Sequence, residues 1–375
     1  MLLIGGFTGL CLTIYIFFIL RSAWFFARIP CPDQKKSELP FISVIIPARN
    51  EAPHIAECLH SVLKQNFPVK KFEVILINDH STDATKGIAL VISQKYSNLK
   101  VIDLADTGIN SYKKAALSAG IAVAQGEIIL QTDADCRVGK NWLSAMSSCF
   151  DSDTALVSGP VMLTYQKKWL QRFQALESLG LVAIGAGSMA AGKPNMCNGA
   201  NMAYRKSVFT EVGGFEGIDG VASGDDELLL QKIHLQKKYG LQFARCKDAV
   251  VRTSALETWP ELKAQRLRWV SKARSYKNRS VNRIQLIAYL GFWAFPIMGG
   301  MSLMSAKWLI PLSVLFLAKL AADYFLMYQS AKFFHKLHLL PWVFLLQFVY
   351  IPYVLWIGLA GNLVKTYTWK ERKVQ

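Results

Sequence analysis

Gly126-Glu127-Ile128-Ile129-Leu130-Gln131-Thr132-Asp133-Ala134-Asp135 is the stretch from which the fold of this chain is read. Its apolar middle predicts a strand from Glu127 to Thr132, and two carboxylates one residue apart follow directly. Three similar strands precede it: Phe41 to Ile46, stopping at Pro47, then Phe72 to Ile77, and Lys100 to Leu104. Between them lie helical stretches at Ala52 to Gln65, Ala84 to Lys95 and Lys113 to Ala124, the first with apolar Ile55, Leu59, Val62 and Leu63 on one face. Apolar strands alternating with amphipathic helices predict an α/β fold, a mostly parallel sheet covered on both faces. Ligands of such sheets bind beyond the carboxyl ends of the strands, so the residues after each strand are the candidates.

Those residues are Ala48-Arg49-Asn50-Glu51, Asn78-Asp79-His80-Ser81-Thr82-Asp83, Asp103, and Asp133-Ala134-Asp135. Ser81, Thr82 and Asp83 suit helix capping, which is the bland account of such residues. Capping does not call for both Asp133 and Asp135. Two carboxylates at a strand end can share Mg²⁺ or Mn²⁺ and leave room for substrate phosphates. No GxGxxG follows the first strand and no GxxxxGK[ST] occurs, which disfavours a dinucleotide enzyme and a P-loop ATPase. A second acidic cluster, Ser223-Gly224-Asp225-Asp226-Glu227, opens a helix. The macrodipole favours acids there, and a general base for a hydroxyl is the functional alternative. Further on, Gln265, Arg268 and Trp269 share one helical face by their spacing, which also fits a basic amphipathic helix on a membrane surface.

The formal charge of +17 and the 52% hydrophobic content belong to different parts of the chain. Met1 to Leu20 carries no charge and is long enough to cross a bilayer core of ~30 Å. Arg21, Arg28, Lys35 and Lys36 follow it, so the positive-inside rule predicts an uncleaved anchor with the next domain in the cytoplasm. Apolar segments return at Leu286 to Met304, Trp308 to Tyr328 and Leu339 to Val364. The loop with Lys332, His335 and Lys336 and the tail with Lys365, Lys370, Arg372 and Lys373 both prefer the cytoplasm, which three simple crossings cannot satisfy. Pro341 and Pro352 in the last segment suggest a re-entrant or interfacial hairpin. Basic excess beside apolar segments reads as lipid-facing rather than nucleic-acid binding. The seven cysteines (11, 31, 58, 136, 149, 197, 246) show no zinc spacing, and free thiols are expected in a cytoplasmic domain. Aromatic Trp169 and Phe173 beside Lys167, Lys168 and Arg172 suit either an interfacial helix or core, and place Gly159 to Tyr204 on the acceptor side.

In this order, Val44 to Glu51, Asn78 to Asp83, Lys113 to Leu117, Asp133-Ala134-Asp135, Gly224-Asp225-Asp226 and Gln265-Arg266-Leu267-Arg268-Trp269 resemble the family 2 glycosyltransferases, inverting enzymes of the GT-A fold. The resemblance covers about residues 40 to 270. It implies that Pro47, Ala48, Arg49 and Glu51 line a nucleotide pocket, that Asp79 contacts the base, and that Lys113 touches the donor. Asp133 and Asp135 would bind metal and diphosphate. Asp226 would be the catalytic base with Asp225 its rival, and Gln265, Arg268 and Trp269 would close over the donor or acceptor. Asn78 stands where many relatives have Asp, and Asp225 where they have Glu. The expected organisation is an anchor at 1–28, a cytoplasmic GT-A domain at 38–283 divided near 150, and a membrane region at 284–375 with two to three apolar segments. The expected activity is transfer from a nucleotide sugar, a uridine diphosphate sugar foremost, to a lipid or lipid-linked acceptor at the cell membrane. A processive polysaccharide synthase is the alternative, and a non-catalytic membrane scaffold the remote one.

Overall fold

The computed structural model describes residues 2–33, 38–105, 112–166, 168–221, 223–271, 275–276, 278–363, 367–369 and 372–374. Lys35, Lys36, Lys167, Lys365 and Lys370, counted above among the basic flanks, lie outside the described residues.

A long helix, α1 (Leu2–Arg28), precedes the sheet. The strands β1 (Ile42–Ala48), β2 (Phe72–Asn78), β3 (Leu99–Asp103) and β4 (Ile128–Gln131) then pair in parallel, linked by α2 (Ile55–Leu63), α3 (Thr85–Ser93) and α4 (Tyr112–Val123). The expected strand end at Pro47 is wrong, because β1 runs through it to Ala48. The register explains why proline is tolerated. Thr132 donates its N–H to the Ile45 carbonyl, so the backbone of Ile45, and by alternation that of Pro47, faces the β4 side. There β4 has already ended, and no partner asks for the missing N–H.

After α5 (Trp142–Ser147) come β5 (Thr154–Ser158), β6 (Val161–Thr164), α6 (Trp169–Ala190), β7 (Met202–Arg205), α7 (Lys206–Glu211), α8 (Glu227–Leu235), β8 (Gly240–Phe243) and β9 (Val251–Ser254). They complete a seven-stranded sheet in the order β3-β2-β1-β4-β7-β5-β8, with β7 antiparallel to both neighbours. A small parallel pair, β6 with β9, stands beside it. Then come α9 (Trp259–Ser271), α10 (Arg279–Phe292), α11 (Ala294–Met304), α12 (Leu309–Phe333) and α13 (Trp342–Leu363), followed by a short antiparallel pair, β10 (Tyr367–Trp369) with β11 (Arg372–Val374).

Strand alternation splits the core. Val44, Ile46, Val74, Leu76 and Leu130 face Leu59, Val62, Trp142 and Met146. Ile45, Ile75, Ile77 and Ile129 face Leu117 and Ile121, and that cluster continues through Ala183 and Met189 of α6 into Leu12, Ile19 and Phe26 of α1. Each such side chain contributes about 1.5–3 kcal/mol by leaving water. The contact of α6 with α1 is close because Gly187 has no side chain: a Cβ there would lie 2.0 Å from the Ser22 carbonyl oxygen.

Among the described residues, five helical segments are long and apolar enough to cross a membrane: Leu3–Arg28, Trp169–Ala190, Arg279–Met304, Ala306–Phe333 and Trp342–Gly361. The last is one helix containing Pro352 rather than a hairpin. Its second half runs along α9. Tyr353 meets Trp259 with ring centroids 6.2 Å apart, Lys263 sits 5.3 Å over the Trp356 ring, and Gly361 accommodates Val270. The loop after α12 rests on the sheet domain, where Lys336 lies 5.2 Å over the Tyr165 ring and His338 Nε2 is 2.9 Å from the Tyr165 hydroxyl.

The expectation of seven free thiols is also wrong. Cys31 and Cys246 form a disulfide across 215 residues of sequence, with Cα atoms 5.1 Å apart. Spacing could not reveal it, since the pair meets only because Arg245 packs between the Phe26 and Phe333 rings and donates to the Ile29 carbonyl at 3.3 Å. Peptide mapping without reductant should recover Cys31 and Cys246 in one linked species. Cys31→Ser should lower thermal stability by about 2–4 kcal/mol; two unlinked peptides would contradict the pairing.

Candidate active site

The first two strand–helix loops are laced together at the carboxyl edge of the sheet. Arg49, nearly buried, donates through Nη1 to the carbonyls of Asp79 (2.9 Å) and His80 (2.8 Å). The backbone N–H of Asn50 donates to Ser81 Oγ, that of Glu51 to Thr85 Oγ1, and that of Ala52 to Asp83 Oδ2. Asn50 and His80 both adopt positive φ, 50° and 51°, a conformation open to Asn and His. The buried Asp79 carboxylate lies 3.0 Å from His80 Nδ1. Arg49 therefore braces the loop that holds Asp79, and Pro47, Ala48, Arg49, Glu51 and Asp79 lie together at this edge of the sheet. Asn78, the departure noted above, keeps a structural task and donates to Asp103 Oδ1 at 2.8 Å.

The second group forms around Lys113, at the start of α4. Its Nζ is 2.7 Å from Asp133 Oδ1 and 3.3 Å from Asp225 Oδ2. One ammonium thus joins the end of β4 to the acidic turn before α8, ninety residues later in the chain. Burial pushes its pKa down, but Asp133, Asp225 and Asp226 push harder in the other direction, and the net effect is a rise. Asp225 also accepts from Gln131 Nε2 at 3.3 Å, and Gln131 is held by the Gly199 carbonyl (3.0 Å) and the Tyr204 hydroxyl (3.2 Å). Gln131, Gly199 and Tyr204 belong to none of the motifs read above; the Asn198-Gly199-Ala200-Asn201 run is the signal from which Gly199 could be found.

Asp226 caps α8. Its Oδ1 accepts from the Glu227 N–H at 2.7 Å and its Oδ2 from the Gly199 N–H at 2.9 Å. Two backbone donors fix the orientation of a half-exposed carboxylate, whereas its neighbour Asp225 is buried against Lys113. Gly199 permits this approach, because a Cβ there would stand 2.9 Å from Asp225 Oδ2 and 3.1 Å from Gln131 Nε2. The segment between α9 and α10 clips onto the same helix. Tyr276 donates to Glu227, and Asn278 Nδ2 donates to Gln231 Oε1 at 2.7 Å. Burial, then the Glu227 charge, raises the Tyr276 pKa and keeps the phenol protonated.

Asp135 is exposed and turns toward β9, accepting from Thr253 Oγ1 at 3.1 Å. Among the described residues no three His, Cys, Asp or Glu side chains gather as a metal cage. A pair of carboxylates nevertheless fits a hard cation that keeps most of its positions for phosphate and water, as Mg²⁺ does. Asp133 and Asp135 are the residues that would hold it. Cys58 reports the local field: it is buried, its thiol donates to the Asp133 carbonyl at 3.5 Å, and burial together with Asp135, Asp133 and Glu51 raises its pKa. Glu51 thus belongs to the same electronegative crevice.

The Gln265–Trp269 segment is anchored from α6 and α13. Arg266, which the spacing argument passed over, is its most buried polar side chain in that run and pairs with Glu177 of α6, with Nε 3.0 Å from Oε2. Tyr353 of α13 donates to the other Glu177 oxygen at 3.2 Å. Gln265 accepts from Arg266, and the Arg266 guanidinium lies 4.1 Å over the Trp269 ring. Gln265 and Trp269 are therefore positioned through a residue between them. Arg268 is half-buried on the same helix.

Residues 43–213 match the family described as glycosyl transferase family 2. Over 216 residues it is 32% identical to the glycosyltransferase AglE of Haloferax volcanii, covering 56% of this chain and 66% of that protein. Over 120 residues it is 35% identical to a beta-monoglucosyldiacylglycerol synthase of Nostoc sp., covering 32% of this chain and 25% of that protein. The matches thus span less than two thirds of these relatives' own lengths. A mannosyltransferase from Pyrobaculum calidifontis, solved with GDP-Man and Mn²⁺, superposes with a TM-score of 0.61 at 20% identity, covering 96% of this chain and 99% of that one. This likeness shows the GT-A type of fold.

Lys113→Met should strand the buried Asp225 charge and cost about 3 kcal/mol of stability. Because the Lys113 pKa is raised on folding, its contribution is complete below the unfolded lysine value and fades only as pH climbs through the folded one. Denaturation of the parent and variant at about pH 6 and about pH 9 should therefore give the same difference. A difference that vanishes by pH 9 would contradict the assignment.

Proposed function

We propose that this chain is an inverting glycosyltransferase, moving one sugar from a nucleoside diphosphate sugar to the hydroxyl or phosphate of a lipid or lipid-linked acceptor. The observation that carries this reading is the placement of Asp226, held by two backbone N–H groups, beside the Lys113–Asp133–Asp225 cluster. The crevice of Pro47, Ala48, Arg49, Glu51 and Asp79 takes the nucleoside. Mg²⁺ or Mn²⁺ bound by Asp133 and Asp135 supplies charge neutralisation for the diphosphate.

For a hydroxyl acceptor, the Asp226 carboxylate removes the proton. The oxygen attacks the anomeric carbon from the face opposite the diphosphate, and the carbon–oxygen bond to the diphosphate breaks with its electron pair leaving on the phosphate oxygen. Lys113 faces the developing negative charge, and Gln265, Arg268 and Trp269 cover the site from the α9 side. Single transfer is the reading adopted here, with processive synthesis as its alternative. The relatives that include a glucosyldiacylglycerol synthase support a lipid acceptor.

The packing supports one membrane arrangement. With α1, α10–α11 and α12 crossing and α13 lying along α9, the Lys332–Lys336 loop and the C-terminal tail share the face of the catalytic domain, which removes the conflict noted in the sequence. That face is the cytoplasmic one by the Arg21 and Arg28 flank. The Cys31–Cys246 disulfide is the observation that favours the opposite face.

Asp226→Asn should lower turnover by at least about a hundredfold while donor binding persists, in an assay where chelation abolishes transfer and Mn²⁺ or Mg²⁺ restores it. Retained turnover in the variant would sink the base assignment. In intact cells, a cysteine at Lys307→Cys should react with an impermeant maleimide and one at Lys336→Cys should not. The reverse pattern would place the catalytic domain outside.

A further inference from the structure

Two consecutive lysines stand in the first turn of α4, and each reaches the residues before α8 in a different way. Lys113 bonds carboxylates, as described above. Lys114 is buried, and its Nζ donates to the main-chain carbonyls of Ser223 (2.9 Å) and Val221, 109 and 107 residues along the chain. Successive residues of a helix point about 100° apart, so the pair grips this stretch from two directions. An ammonium buried this deeply is strongly disfavoured unless its donors are bonded. An apolar side chain would fill the same space without that penalty, so volume alone does not account for a lysine here.

Val221 and Ser223 lie in irregular chain between α7 and α8, outside any helix or strand. Gly224 follows with φ +80°, a conformation natural to glycine. The chain turns there, so that Asp225 meets Lys113 and Asp226 caps α8. The lysine that holds the two carbonyls is itself fixed. Gly120 of the same helix lies against β1, where a Cβ would come within 2.7 Å of Ile45 Cγ2, and Leu117 and Ile121 are buried in the sheet core. A short packed path therefore runs from β1 through α4 to the chain that carries Asp226. The Gly199 and Glu227 N–H groups orient the Asp226 carboxylate. They do not fix where the main chain bearing it enters α8. The Lys114 bonds do.

We propose that Lys114 is a positioning residue for sugar transfer: by holding the Val221 and Ser223 carbonyls, it sets where the Asp226 carboxylate stands relative to the acceptor hydroxyl. This rests on the reading of Asp226 as the base given above. Lys114 acts through Asp226 and meets neither substrate. The two lysines divide the task, the first fixing carboxylates and the second the main chain from which they project. A base displaced by about 1 Å loses up to about a hundredfold in rate, so a bond to main chain several residues away has a catalytic consequence.

The experiment uses the full chain in phosphatidylglycerol vesicles. Its first readout is hydrogen exchange at the Gly199 amide, whose N–H bonds Asp226 and so reports where that carboxylate stands. Lys114→Met should speed exchange there about tenfold, as Asp226→Ala does, while the amides of β1 keep their protection. Lys114→Arg should keep the parent rate. Unchanged exchange at Gly199 in Lys114→Met overturns the proposal. The second readout is transfer from uridine diphosphate glucose, with Mn²⁺, to dioleoylglycerol in the same vesicles. Lys114→Met should lower kcat about tenfold with the donor KM within about twofold of the parent, and Lys114→Arg should restore most of it. In an Asp226→Asn background the same substitution should change kcat by less than about twofold, because the base it positions is gone. A tenfold loss in both backgrounds, or a loss confined to KM, overturns the proposal. If Lys114→Met does not fold, Lys114→Gln, which keeps a shorter donor, should shift both readouts in the same direction, and no shift overturns the proposal. A parent without transfer counts against the glycosyltransferase reading, and exchange at Gly199 then decides the role of Lys114.

Discussion

The ion contact on which the site depends is the Lys113 ammonium between Asp133 and Asp225. Three carboxylates, Asp133, Asp225 and Asp226, converge from a strand end and a helix N-terminus, and such like charges repel unless a cation stands among them. Lys113 is delivered there by the first turn of α4, a helix fixed in the sheet core by Leu117 and Ile121, one and two turns further along the same side. Segments on either side of residue 150 are thereby joined through one nitrogen. The position of Asp226 follows, because Gln131 bonds both Asp225 and the Gly199 carbonyl, and Gly199 supplies an N–H that orients Asp226.

The second constraint is mechanical continuity between the sheet and the long apolar helices. The core on one face of the sheet does not end at a domain surface but continues through α6 into α1 and α12. Glu177 extends that continuity to α9, because a buried carboxylate on α6 holds Arg266, and Arg266 holds Gln265 and Trp269. The apolar helices and the sheet domain therefore share buried side chains.

Much of this was legible in the chain itself. The four parallel strands and three helices were set by apolar runs and turn residues, and their observed ends differ from the sequence reading by one to three residues at most edges. Pro47 misled because proline normally ends a strand, and only the register with β4 shows that its position needs no donor. Arg266 was overlooked because helical spacing selects a face without saying which face is buried. Cys31 and Cys246 could not be paired by spacing, since 215 residues separate them.

Local sequence thus determined which residues could do chemistry: acids after strands, a lysine opening a helix, a base candidate at a helix cap. Those choices are encoded by short-range preferences that need no partner. Tertiary structure decided which of them meet, and what holds them. The Lys113 bridge, the Gly199 approach, the Glu177–Arg266 pair and the closed Lys319–Asp323–Gln347 cluster each join segments far apart in sequence. Their energies arise from exclusion of water around paired charges, a condition that exists only once the chain has closed around them.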